Sequence, residues 1–132
     1  MPRFLIGTLL FSFFLSSCSK SKVKTYDFRF AIETTSPVIT PGAYMTMTMG
    51  PLVVEHGTFA SGTTWSHTRI METGLRPIEV YFNSGTIYLS GAGSATFHIY
   101  VNGKEKATKT VSSVLQGSDH FISPSVSSYS VQ

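Results

Sequence analysis

Cysteine, charge and long apolar runs are the scarce features of this 132-residue chain. The only cysteine is Cys18, so no intrachain disulfide can form, and neither a multi-thiolate metal site nor a redox dithiol is available. Charged residues make up 13% of the sequence, and the seven acids are spread so thinly that no carboxylate pair suggests general acid–base work. His56, His67, His98 and His120 lack zinc-ligand spacing, and no Gly-x-Ser-x-Gly elbow is present. The longest apolar run, Phe4 to Leu15, covers 12 residues, short of the roughly 20 that cross a bilayer as a helix. No stretch shows helical periodicity, and no internal repeat is found. The expectation is a non-enzymatic protein without a cofactor.

The positive balance of +3 is concentrated at the front. Arg3 precedes the apolar run, and Lys20, Lys22 and Lys24 alternate with small or apolar residues just after it. The remainder holds Arg29, Arg69, Arg76, Lys104, Lys106 and Lys109 against seven acids, a net of −1. A nucleic-acid partner therefore has no electrostatic footprint.

The front itself has a recognisable order: one basic residue, the apolar run, then Leu15-Ser16-Ser17-Cys18. A basic start, an apolar core and small residues before a cut describe a secretory signal. The final four residues resemble the lipobox of bacterial lipoproteins, which implies cleavage before Cys18 and acylation of its thiol by chains such as palmitate. The division expected is a signal peptide over 1–18, a Lys/Ser tether over 19–24 and one folded domain over 25–132. More than one acyl chain makes such anchoring stable without spanning the bilayer. The implied location is the cell envelope, and Ser19, in place of the aspartate associated with inner-membrane retention, favours the outer membrane facing the periplasm.

Beyond Lys24 the pattern is one of strands. Tyr26, Phe28, Phe30 and Ile32 alternate with polar neighbours, the period-two signature of a half-buried strand. A loop is expected over Thr34–Gly42, which carries Pro37 and Pro41. Further strands are read at 44–49, 52–59, 65–71, 78–82, 86–90, 95–101, 104–111 and 126–131. The inward face of 65–71 is ambiguous. Asn102-Gly103 is the strongest turn signal, because both residues tolerate the positive φ of a type I′ hairpin. Lysines on 104–111 suit an edge strand guarded against further pairing. About seven to nine short strands predict an all-β antiparallel sandwich with immunoglobulin-like topology, a small barrel being the alternative.

Three local patterns bear on chemistry. Gly91-Ala92-Gly93 has the look of a phosphate loop, but a strand follows it where a helix N-terminus is needed. Asp119-His120 reads as loop, since neighbours on an extended chain point apart. Met45, Met47 and Met49 alternate, placing three soft thioethers on one strand face. Such a face can fill a core or, with His56 or His67, hold Cu(I), which gives a small-ligand or copper carrier as the alternative function.

Thr86-Ile87-Tyr88-Leu89-Ser90 followed by Phe97-His98-Ile99-Tyr100-Val101-Asn102-Gly103-Lys104 resembles the C-terminal half of the MmpS-like family, in which a strand ends in a Val-Asp/Asn-Gly hairpin with a polar return strand. The resemblance covers residues 64–112. It implies a small immunoglobulin-like sandwich at the membrane that serves as an accessory to RND-type transporters. This chain differs in having a lipobox and in lacking the family's cysteine pair. The partners expected are thus the lipid bilayer, through acylated Cys18, and an envelope transporter or other envelope protein.

Overall fold

The computed structural model describes residues 22–132. They form eleven strands: β1 (Lys24–Val38), β2 (Ala43–Met49), β3 (Val53–Phe59), β4 (Gly62–Thr73), β5 (Ile78–Ser84), β6 (Ile87–Leu89), β7 (Ser94–Val101), β8 (Lys104–Ser112), β9 (Val114–Gln116), β10 (Asp119–Ile122) and β11 (Ser125–Val131). All pairings are antiparallel and fall in two sheets. The chain is an all-β sandwich. Sheet A has seven strands in the order β8-β7-β1-β6-β10-β9, with β4 also paired to β1; sheet B has four, in the order β11-β5-β2-β3.

Strand β1 is the trunk of sheet A. Its even residues Tyr26, Phe28, Phe30 and Ile32 are buried, as their alternation predicts. Strand β4 pairs with it from Lys24 to Glu33, and β7 pairs with it from Phe28 to Thr34. The expected loop at Thr34–Gly42 begins later than its prolines suggest, because β1 continues to Val38, which meets both Gly62 and Leu89. The register shifts between Glu33 and Val38. Pro37 is tolerated at this irregularity because only its carbonyl is needed, accepting the Ser90 N–H at 2.9 Å.

Two strands exceed the expected seven to nine. They are β9 and β10, a short hairpin closed by Gly117, and Asp119-His120 therefore lies on a strand rather than in a loop. Three- and four-residue strands are too short for a period to register. The strand expected over 78–82 also runs further: β5 continues through Ser84, which pairs with Met45 and Ser125.

The hairpin at Asn102-Gly103 forms as its chemistry requires, with φ of 52° and 76°. The Asn102 side chain adds a tie by accepting the Asp27 N–H at 2.9 Å. Strand β8 follows as an edge of sheet A.

The core lies between the sheets. Phe82 of β5 stands at its centre, edge-on to Phe30 (5.4 Å) and Phe97 (5.8 Å) and stacked with Trp65 (5.9 Å). These rings come from four strands and join the two layers. Met45, Met47 and Met49 fill the sheet B side, all within 1% of complete burial.

Side chains close the sandwich where edge strands of the two sheets meet. On one side Lys109 Nζ donates to the Val126 carbonyl at 3.0 Å, tying β8 to β11. On the other, Trp65 of β4 lies over Gly57 of β3 so closely that a Cβ there would fall 2.4 Å from the indole. Gly57→Ala is expected to push the ring off Phe82 and cost about 1–3 kcal/mol, the usual range for overpacking. Urea denaturation checks it, and an unchanged midpoint would contradict this contact.

Candidate functional site

The inward row of β4 explains why its sequence is ambiguous. Trp65, His67, Arg69 and Met71 share the odd positions, so a polar pair interrupts two apolar residues. Opposite them on β3 stand Gly57, Glu55 and Val53. Glu55 accepts from His67 Nε2 and pairs with Arg69 Nη1 at 2.8 Å. This latch is partly sheltered, with the Glu55 side chain 21% exposed, so its charges are less screened than those of a surface pair.

Below the latch the seam opens as a cleft of about 340 Å³. Met49, Val53, Met71 and Ile78 form its inner wall, and Leu52, Ile70, Leu75 and Pro77 its rim, with Arg69 at the latch end. Leu52 is 85% exposed and Leu75 is 51% exposed. A concave apolar site with a few polar groups is what small-ligand pockets share, and volumes of about 300–1,000 Å³ are typical.

The cleft lies at the pole where the folded domain begins. Lys24, the first residue of β1, pairs with Thr73 in the cleft wall. The turn after β2, the start of β5 and the end of β11 lie there too, since Met49 pairs with Val53, and Ile78 with Val131. Across the domain, the opposite pole carries Gly62, Ser84 and Ser123.

The outer face of sheet A bears a second polar group. His98 Nδ1 contacts the Glu105 carboxylate, and Arg29 lies 4.0 Å above the Tyr100 ring. Hydrogen bonding to His98, and then to Thr108, holds the Glu105 carboxyl below its ordinary value of 4.5. The stabilisation this implies is present above that value and is lost as falling pH takes the group through its lowered one. Glu105→Gln is therefore expected to be less stable than the parent at neutral pH. The gap should close below pH 4.5; a gap that persisted in acid would exclude the carboxylate as its source.

The residues singled out from sequence fall in separate places. Leu15, Ser16, Ser17 and Cys18 lie outside the described residues. Met45, Met47 and Met49 share one face, as their spacing predicts, and that face is the core. His56 points away from them, stacked on Tyr44 at 5.3 Å on the outer surface, whereas His67 is in the latch. His120 sits on β10, beyond the far end of β1. Among the described residues no cluster of three or more His, Cys, Asp or Glu is placed to hold a metal. The cleft residues Leu52, Met71 and Leu75 carry no motif and come together only where the β2–β3 turn of sheet B packs against the end of β4 in sheet A.

Compared with protein-family models, curated proteins and solved structures, the chain matches none.

Proposed function

We propose that the protein is a non-enzymatic lipoprotein of the bacterial cell envelope, anchored through acylated Cys18, that acts as a binding or transporter-accessory module. One observation carries this reading. Strand β1 begins at Lys24, six residues after Cys18, and that start pairs with Thr73 of the cleft wall. Six residues span at most about 20 Å, so a lipid on Cys18 would hold the open pole beside the bilayer. The absence of a convergent catalytic group in the sequence and the apolar character of the cleft both favour binding over chemistry. Ser19 favours the outer membrane, facing the periplasm, and the MmpS-like hairpin favours an accessory role.

Membrane extraction tests the anchor and the association together. Washing with high salt and alkaline carbonate should leave the protein in the membrane, and mild detergent should release it within a larger envelope complex. Release by salt alone contradicts the anchor; recovery as a lone chain under mild detergent contradicts the accessory role.

A further inference from the structure

A second cavity, about 370 Å³, opens at the same pole on the β8–β11 side. Tyr26, Asn102, Lys104, Lys106, Tyr129 and Gln132 contribute to its wall. Tyr26 is 4% exposed, and its buried hydroxyl has no hydrogen-bond partner among the described residues. An orphaned buried donor is costly, of order 1–3 kcal/mol, and calls for an explanation.

The charges around it are arranged one way. Glu105 separates Lys104 from Lys106 in sequence, but it is turned to the outer face and held there by His98. The register shift opposite Ile99 and Tyr100 leaves Lys106 without a partner on β7, and such bulges re-aim side chains. Lys106 Nζ lies 5.9 Å over the Tyr129 ring, at this cavity. Arg76 stands 5.5 Å over the Tyr26 ring and donates to the Gln132 carbonyl. Lys22 and Lys24 enter at the same pole.

The cationic cavity and the apolar cleft are near neighbours. Tyr26 of the first pairs with Met71 of the second, and Val131 of the first with Ile78 of the second. Directly opposed residues in antiparallel strands have Cα atoms about 4.5–5.5 Å apart, so one amphiphile can reach both.

We infer that the tethered pole binds an anionic phospholipid of the bilayer, its phosphate beside Tyr26, Lys104 and Lys106 and an acyl chain in the cleft between Leu52, Met71 and Leu75. This deepens the anchor reading and rests on it for the supply of lipid. As the lipid seats, the side chains covering the Tyr26 hydroxyl part and it donates to a phosphate oxygen, while the lysines neutralise the phosphate's charge. Leu52 and Leu75, exposed on the isolated domain, are covered by the acyl region of the leaflet.

The full chain in lipid nanodiscs tests the inference, using phosphatidylglycerol that carries a photoactivatable group in its acyl chain. Adducts should map to the peptides containing Leu52, Met71 and Leu75. Phosphatidylcholine with the same acyl group should give about fivefold less, and K106Q should lower the phosphatidylglycerol adduct by about fivefold, as expected for one basic residue beside an anionic leaflet. Tyr26→Phe should lower the adduct while keeping or raising the lipid-free melting temperature, an opposition that a purely structural tyrosine would not produce. Equal labelling by the two lipids, adducts scattered over the surface, or stabilisation by inorganic phosphate matching that by phosphatidylglycerol would each overturn the assignment. The anchor is read separately, from fatty-acid incorporation at Cys18. Adducts at the cleft in a chain that incorporates no fatty acid would overturn the anchor and leave the lipid site standing, whereas an acylated chain without cleft adducts would overturn the site alone.

Discussion

Phe82→Ala lowers the free energy of unfolding by about 4 kcal/mol, the middle of the range for truncating a fully buried phenylalanine. Phe82 has no exposed surface and touches Phe30, Phe97 and Trp65. Those partners belong to β1, β7 and β4, all of sheet A, whereas Phe82 belongs to sheet B. The truncation therefore removes the aromatic contacts that join the layers, and a rigid two-sheet core can collapse only partly into the space. Domains of this size have roughly 5–15 kcal/mol in total, so a large share of stability depends on one ring. Val126→Ala on the half-exposed outer face of sheet B should change stability by no more than about 0.5 kcal/mol. Equilibrium urea unfolding compares the two, and similar midpoints would show that the sheets are not joined where the structure places the junction.

If Cys18 is the proposed anchor, Cys18→Ala should abolish fatty-acid incorporation and block maturation of the leader. Each buried methylene contributes about 0.8 kcal/mol, and one chain alone binds only reversibly, so the multiple acyl chains of a mature lipoprotein dominate membrane retention. Basic residues at the pole where β1 begins would add only about 1 kcal/mol apiece beside an anionic leaflet and could not substitute for the lipid. Cells fed an alkyne-bearing fatty acid should yield a labelled parent and an unlabelled variant. Label persisting in Cys18→Ala, or absent from the parent, would defeat the lipoprotein reading.

Much of the fold was legible because period-two alternation is strong where one strand face is dry. The Tyr26–Ile32 row, the methionine row on β2 and the Ile78–Phe82 row all face the core as their spacing predicts. Asn102-Gly103 was legible for a different reason: positive φ at both positions demands those residue types. Legibility fails where side-chain pattern and backbone pairing part company. Strands β9 and β10 are too short to show a period, and β1 passes through Pro37 at a register shift. The strand order of the two sheets depends on long-range pairing, which local pattern does not encode.

The open pole was less legible than the fold. Its rim comes from the turn after β2 and from the end of β4 with the segment that leads into β5, two regions remote in sequence. The inward row of β4 mixes Trp65 and Met71 with His67 and Arg69, and only the facing Glu55 and Gly57 of β3 make sense of that mixture. Lys104 and Lys106 read correctly as edge-strand lysines, yet their relation to Tyr26 appears only once β8 lies beside β11. The lipobox-like motif Leu15–Cys18, on which the proposed anchor rests, has the opposite character: it is complete in four consecutive residues and silent about the domain.

The central claim is that the pole where β1 begins faces the bilayer, and single-site nitroxide labelling tests it most directly. Cys18 is the only native thiol, so acylation leaves none to react, and a cysteine introduced at Leu75 or Ser123 becomes the sole attachment point. In membranes, a label at Leu75 should collide with oxygen more than with a water-soluble nickel chelate, and a label at Ser123, on the opposite pole, should show the reverse. The parent chain should take up no label. Equal exposure to the aqueous chelate at both positions, or labelling of the unsubstituted chain at Cys18, would contradict the account.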